Sequence, residues 1–129
     1  MKTIKFFASL GVVAGYGHDN SSEEPALVIA GRVWQEVSAA IMAETGVYVS
    51  AVLTPAKTVY HTDWGCPVGG ENTVLITGDC NPQFTEVAAY KAAVVETLRR
   101  AATALRQSTT QLSFLEVELE YLDFRTKSE

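Results

Sequence analysis

The sequence predicts one α+β domain, built as two βαβ units that form a four-stranded sheet with two helices on one face. Three observations carry this. Segments that alternate apolar and polar residues occur near both ends and in the middle of the chain. Two other segments repeat apolar residues every three or four positions, and each of these lies between two of the alternating ones. With 129 residues, 47% of them apolar, the chain has the material for a single core spanning 1–129.

The first strand opens the chain. Ile4, Phe6, Ala8 and Leu10 alternate with Lys5, Phe7 and Ser9, the period of a pleated sheet. The same residues also have the outline of an export signal, with Lys2 and Lys5 before the apolar run from Phe6 to Ala14. The strand reading implies a cytoplasmic protein with Cys66 and Cys80 reduced; the signal reading implies export. After Gly11 the chain is rich in turn formers up to Ser22, and Ser21 with Glu24 has the spacing of a capping box, so a helix is expected to start there. Its apolar stripe is Leu27, Ala30, Val33, Trp34, Val37, Ala40 and Ile41, and Gly46 is its natural stop.

From Val47 the period changes to two. Val47, Val49, Ala51 and Leu53 alternate with Tyr48, Ser50 and Val52; Pro55 is expected to interrupt this strand and Thr58 to Tyr60 to continue it at a sheet edge. The first unit is thus 1–60, and the Gly- and Pro-containing segment 61–72 is a connecting loop. In the second unit, 73–124, the apolar run Thr73–Thr77 reads as a central strand buried on both faces. Asn81 and Pro82 open the second helix, whose stripe is Val87, Tyr90, Val94, Leu98, Ala101 and Leu105. In the last strand Leu115, Val117, Leu119 and Tyr121 form the packed face, and Glu116, Glu118 and Glu120 face solvent or a basic neighbour. Residues 125–129 are a polar tail.

The strand at the extreme N-terminus, the link carrying Gly65, Gly69 and Gly70, the run Asn72–Gly78, the amphipathic helix from Asn81 and the charged final strand together resemble the tautomerase superfamily over nearly the whole chain. The long link favours that sheet over a ferredoxin-like one, in which the second and third strands form a hairpin. The resemblance implies a homo-oligomer, a trimer, acting as an isomerase on a small keto or enol acid. The family's N-terminal proline is replaced by Lys2, so its usual mechanism does not carry over. The alternative is a non-catalytic ligand-binding or assembly module of ferredoxin-like fold. Strand order discriminates: pairing of the Val47 strand with the Thr73 strand excludes the tautomerase layout.

Four residues are candidates for chemistry. His61, Asp63 and Cys66, within six positions between Tyr60 and Glu71, could serve as base, orienting partner and nucleophile, or as three metal ligands. Lys2, if its pKa were lowered near the sheet end, could act as a base or imine former. Trp64 packing and hydrogen bonding by His61 are the structural uses of that loop, and an ion pair with the glutamates of the last strand is that of Lys2. No metal-ligand spacing such as C-x-x-C is present, and neither a metal nor another cofactor is expected. Gly11 to Gly17 lacks the Gly-Lys-Ser/Thr ending of a phosphate loop. Ten basic against 15 acidic residues leave a charge of −5, which argues against a nucleic acid or an anionic membrane as partner. No uninterrupted apolar run reaches the roughly 20 residues that span a bilayer. The apolar residues left on the second face of the sheet, Phe7, Val52, Tyr48 and Leu122, point to burial between copies.

Overall fold

A computed structural model describes residues 1–12 and 26–126. Its elements are β1 (Lys2–Gly11), α1 (Ala26–Thr45), β2 (Val52–Thr58), β3 (Glu71–Asp79), α2 (Val87–Ala104) and β4 (Gln111–Glu118), with a short 3-10 turn at Thr62–Trp64 between β2 and β3. The expected start of α1 at Ser21 to Pro25, and the Gly15 to Ser22 turn region, lie outside the described residues.

All four strands are antiparallel to their neighbours in the order β2-β3-β1-β4. The four-stranded sheet with two helices is therefore as expected, but its strand order is not that of the tautomerase layout. Val52–Thr58 pairs directly with Glu71–Asp79, which makes β2 and β3 a hairpin across a long loop. Loop length misleads here because closing a longer loop costs only about 0.6 kcal/mol per doubling. Each βαβ unit is split, with a strand of the other unit inserted between its own two, as in the ferredoxin-like arrangement.

Phe6 shows why both helices take the same face. Fully buried at the middle of β1, its ring stacks on Trp34 of α1 at 6.0 Å and meets Tyr90 of α2 at 6.3 Å. Ile4, Ala8 and Leu10 share its face and its burial, as alternation requires. Opposite Phe6 in the ladder is Gly78. A β-carbon there would lie 2.8 Å from the Phe6 ring and collide with the Ser50 carbonyl, so the position admits only hydrogen.

Several local expectations are corrected. The ladder of β2 begins at Val52, not Val47, and runs through Pro55, which pairs with Val74. An edge strand tolerates this because one of its two hydrogen-bonding sides has no ladder to complete. The preceding Val49 is buried and held by α1 instead: its carbonyl accepts from Trp34 Nε1 at 3.0 Å and Ser38 Oγ at 3.3 Å. α2 begins at Val87, because Asn81 closes a turn of its own. Its side chain accepts from Gln83 N, and its carbonyl from Phe84 N and Thr85 N. That is the same local chemistry as an N-cap, used one turn too early. In β4 the residues packed on the core are Leu112 and Phe114, while Leu115 lies on the open face, 54% exposed. The strand starts at Gln111, earlier than its glutamate alternation suggests. Nor is β3 covered on both faces, for Leu75 is 41% exposed.

The open face carries Phe7, Leu75, Val52 and Leu115 in exposed or half-exposed positions, with Lys5 and Asp79 paired across it at 2.9 Å. Between the helices, Arg100 reaches Glu44 of α1 at 2.5 Å and Glu96 of its own helix at 2.8 Å. Among the described residues α1 is long and apolar enough to cross a membrane by length and composition; in this fold its Ala30, Trp34 and Ile41 are buried in the core.

Candidate functional site in the cleft at the end of the sheet

The hairpin loop between β2 and β3 builds one wall of a cleft. Thr58 and Glu71 are the last paired residues, and their ladder is reinforced one step away, where Thr58 Oγ1 and Thr73 Oγ1 are 2.9 Å apart. The loop returns through Gly70, at φ 94°, where a β-carbon would press on the Thr58 carbonyl and the Val59 side chain. Such a close, left-handed return favours glycine, and it sets Glu71 immediately after the turn. Beneath the loop Cys66 is buried, its Sγ 3.5 Å from Tyr60 N and 3.3 Å from the Pro67 carbonyl. This thiol holds the Tyr60 backbone in place. The Tyr60 hydroxyl then donates to Glu71 Oε2 at 3.3 Å.

The opposite wall comes from the end of α2. Gln107 N donates to the Ala102 carbonyl and Arg106 N to the Thr103 carbonyl, the paired bonds of a Schellman motif. Arg106 occupies its left-handed position at φ 59°, where glycine is usual. A side chain there costs roughly 1 kcal/mol. The chain then turns through Ser108, Thr109 and Thr110 into β4.

Between these walls lies an open cleft of about 550 Å³, a size ordinary for small-molecule sites. Ser9 and Gly11 form its floor; Thr58, Tyr60, Glu71 and Thr73 line one side, and Arg106 through Gln111 the other. Among the described residues the lining is rich in hydroxyls and carries one carboxylate and one guanidinium. The strands β3 and β4 flank β1, so the walls stand roughly 10 Å apart at the usual strand spacing.

None of the four residues singled out by sequence lines this cleft. His61 Nδ1 accepts from Asp63 N at 3.0 Å and lies 3.6 Å from Asp63 Oδ2, with the Trp64 ring 5.8 Å away. Both side chains are largely exposed. Cys66 is buried under the loop and free, as is Cys80. Lys2 sits opposite Glu118 in the β1–β4 ladder, at the far end of the strand whose other end supplies Ser9 and Gly11. The structure thus brings His61 and Asp63 together and keeps Lys2 apart from them. Among the described residues no three His, Cys, Asp or Glu side chains converge as metal ligands. Tyr60 and Glu71 bracket the stretch that sequence reading marked, and the signal that could have promoted them was the hairpin itself. Only pairing of β2 with β3 makes residues 60 and 71 neighbours.

A family model described as SAM lyase matches residues 1–123. Two solved structures share the fold. One is a phage SAM lyase in complex with S-methyl-5′-thioadenosine, with a TM-score of 0.58 and 12% identity over 94% of this chain and 93% of that one. The other is a phage SAM lyase in the apo state, with a TM-score of 0.53 and 13% identity over 95% and 92%. A comparison with curated proteins gives no match.

Proposed function

The chain belongs to the SAM lyase family, and from that premise we propose that it cleaves S-adenosylmethionine and releases S-methyl-5′-thioadenosine from the cleft of Tyr60, Glu71 and Arg106. The family match over residues 1–123 carries this reading. It replaces the tautomerase resemblance and with it the keto or enol acid substrate, the isomerase chemistry and the non-catalytic alternative. The layout that suggested them, a strand-helix-strand repeated twice, is common to more than one way of ordering a four-stranded sheet.

Release of the thioether requires the bond between sulfur and Cγ of the amino-acid portion to break. Sulfur keeps the electron pair and loses its positive charge, giving neutral S-methyl-5′-thioadenosine. In a lyase no water or acceptor adds, so the remaining fragment satisfies Cγ from within, by closure of its own carboxylate or by loss of a Cβ proton to form an alkene. The substrate carries two cations, the sulfonium and the α-ammonium. A carboxylate beside the sulfonium would stabilise the substrate more than the transition state, in which that charge is disappearing. Glu71 is therefore assigned to the α-ammonium, with Tyr60 fixing its carboxylate by the 3.3 Å hydrogen bond. The test is to incubate the purified protein with S-adenosylmethionine and follow S-methyl-5′-thioadenosine by chromatography. Release by the wild type that is lost in Glu71→Gln supports the reading; no release by the wild type overturns it.

We also propose a homo-oligomer closed over the open sheet face, with the trimer that the tautomerase resemblance implied as the state to test. The exposed Phe7, Leu75, Val52 and Leu115 support it. Light scattering on the wild type and Leu115→Glu checks it, a monomeric wild type being the contrary result. The cytoplasm remains the proposed compartment, in keeping with the use of Lys2–Gly11 as a strand inside the sheet.

A further inference from the structure

Building on the lyase reading, we infer that Arg106 holds the α-carboxylate of the substrate and so makes the cleft select an amino-acid-bearing sulfonium over the bare thioether nucleoside. The side chain is not needed to end α2. The Schellman bonds from Arg106 N and Gln107 N are backbone bonds that glycine would make equally well, at a left-handed φ that glycine prefers. A residue kept in an unfavourable conformation at a cleft is a pointer to use of its side chain.

Its charge is also uncommitted among the described residues. Arg99, Arg100 and Arg125 each sit on a carboxylate at 2.5 to 2.6 Å. Arg106, by contrast, forms no ion pair with any described residue, although it is exposed and lines the cleft. Among the described residues the charged groups of the lining are Arg106 on one wall and Glu71 on the other. An α-amino acid end group presents the complementary pair, a carboxylate for the guanidinium and an ammonium for Glu71, and a guanidinium is the donor suited to bidentate capture of a carboxylate. The hydroxyls of Ser108, Thr109 and Thr110 beside it add neutral donors on the same wall. S-methyl-5′-thioadenosine has neither end group, so contact with Arg106 separates substrate from product.

The experiment compares KM for S-adenosylmethionine with the inhibition constant of S-methyl-5′-thioadenosine in the full-length wild type, Arg106→Gly and Arg106→Lys. Loss of one charge-assisted contact raises KM by about tenfold to hundredfold in Arg106→Gly, with partial recovery in Arg106→Lys. The inhibition constant stays within about twofold, since no contact to the nucleoside is removed. Decarboxylated S-adenosylmethionine supplies the independent arm: it is bound equally by wild type and Arg106→Gly. Equal weakening of substrate and thioether, or no change in either, overturns the assignment alone. A wild type that binds neither ligand overturns it together with the lyase reading.

Discussion

The Tyr60 hydroxyl donates to Glu71 Oε2 at 3.3 Å across the root of a hairpin loop, and this contact joins two residues that flank the chemically dense stretch of the sequence without belonging to its centre. The phenol donates to the carboxylate, and the Tyr60 backbone N–H in turn donates to the buried Cys66 thiol.

Glu71→Gln is expected to lower kcat/KM for S-adenosylmethionine by about a hundredfold, because the amide keeps the shape but loses the charge. Tyr60→Phe, which leaves the charge and removes only its hydrogen bond, costs about tenfold. His61→Ala and Lys2→Ala, outside the cleft lining, retain near wild-type turnover. Initial rates of thioether release for the four variants check the order.

Arg106→Gly is expected to melt higher than the wild type, by up to about 1 kcal/mol in urea titration, because glycine relieves the left-handed conformation at φ 59°. A variant that gains stability while losing substrate affinity distinguishes a side chain kept for binding from one kept for folding.

Tyr90→Phe should be neutral or stabilising by about 1 kcal/mol. The hydroxyl is buried with no hydrogen-bond partner among the described residues, and burial pushes its pKa up. Removing a polar group that is desolvated without compensation leaves the ring packing on Phe6 intact. A loss of more than about 1 kcal/mol in equilibrium unfolding would reveal a bond to the hydroxyl.

Gly78→Ala should destabilise by about 1–3 kcal/mol, since the added methyl meets the Phe6 ring and the Ser50 carbonyl, both fixed by the core. Urea unfolding monitored by circular dichroism reads the loss directly.

Acid should weaken the clamp between the helices. The Arg100 guanidinium lowers the Glu44 carboxyl, and Arg99 with Arg100 lowers that of Glu96, below the ordinary 4.5. Folded values below unfolded ones mean that the stabilisation is complete above pH 4.5 and disappears as the pH falls through the folded values. Arg100→Ala is therefore expected to narrow the stability difference between pH 6 and pH 3 in urea titrations. An unaltered difference would show that both pairs are already satisfied by solvent.

Most of the fold was legible because its signals are local. The alternation of Ile4 to Leu10, the stripe from Tyr90 to Leu105 and the stop at Gly46 each need only a few neighbouring residues to specify an element. Strand order is not local. It depends on whether Val52–Thr58 folds back on Glu71–Asp79, and the intervening loop closes that hairpin through the Gly70 turn and the buried Cys66, features that read in sequence only as loop composition. The same reason governs the site. Sequence density drew attention to His61, Asp63 and Cys66, whereas the cleft takes its wall from the paired ends on either side of them. In the sequence Arg106 follows Arg99 and Arg100 with nothing to distinguish it, and only the backbone geometry at the end of α2 sets it apart.

The strand order also determines how the chain must mature as it is synthesised. β1 leaves the ribosome before the other three strands, yet it occupies an interior place in the sheet: its partners are Glu71–Asp79 on one side and Gln111–Glu118 on the other, and Met1 itself bonds to Leu119. The nascent strand with Phe6 and Phe7 waits for Gln111–Glu118 to be translated before both edges are satisfied. Completion of the sheet consequently awaits β4, is dominated by contacts between distant parts of the chain and is slow by that topology. Until β4 arrives, the unfinished sheet presents an unpaired edge to the cell, a risk that translation speed and chaperone supply will govern.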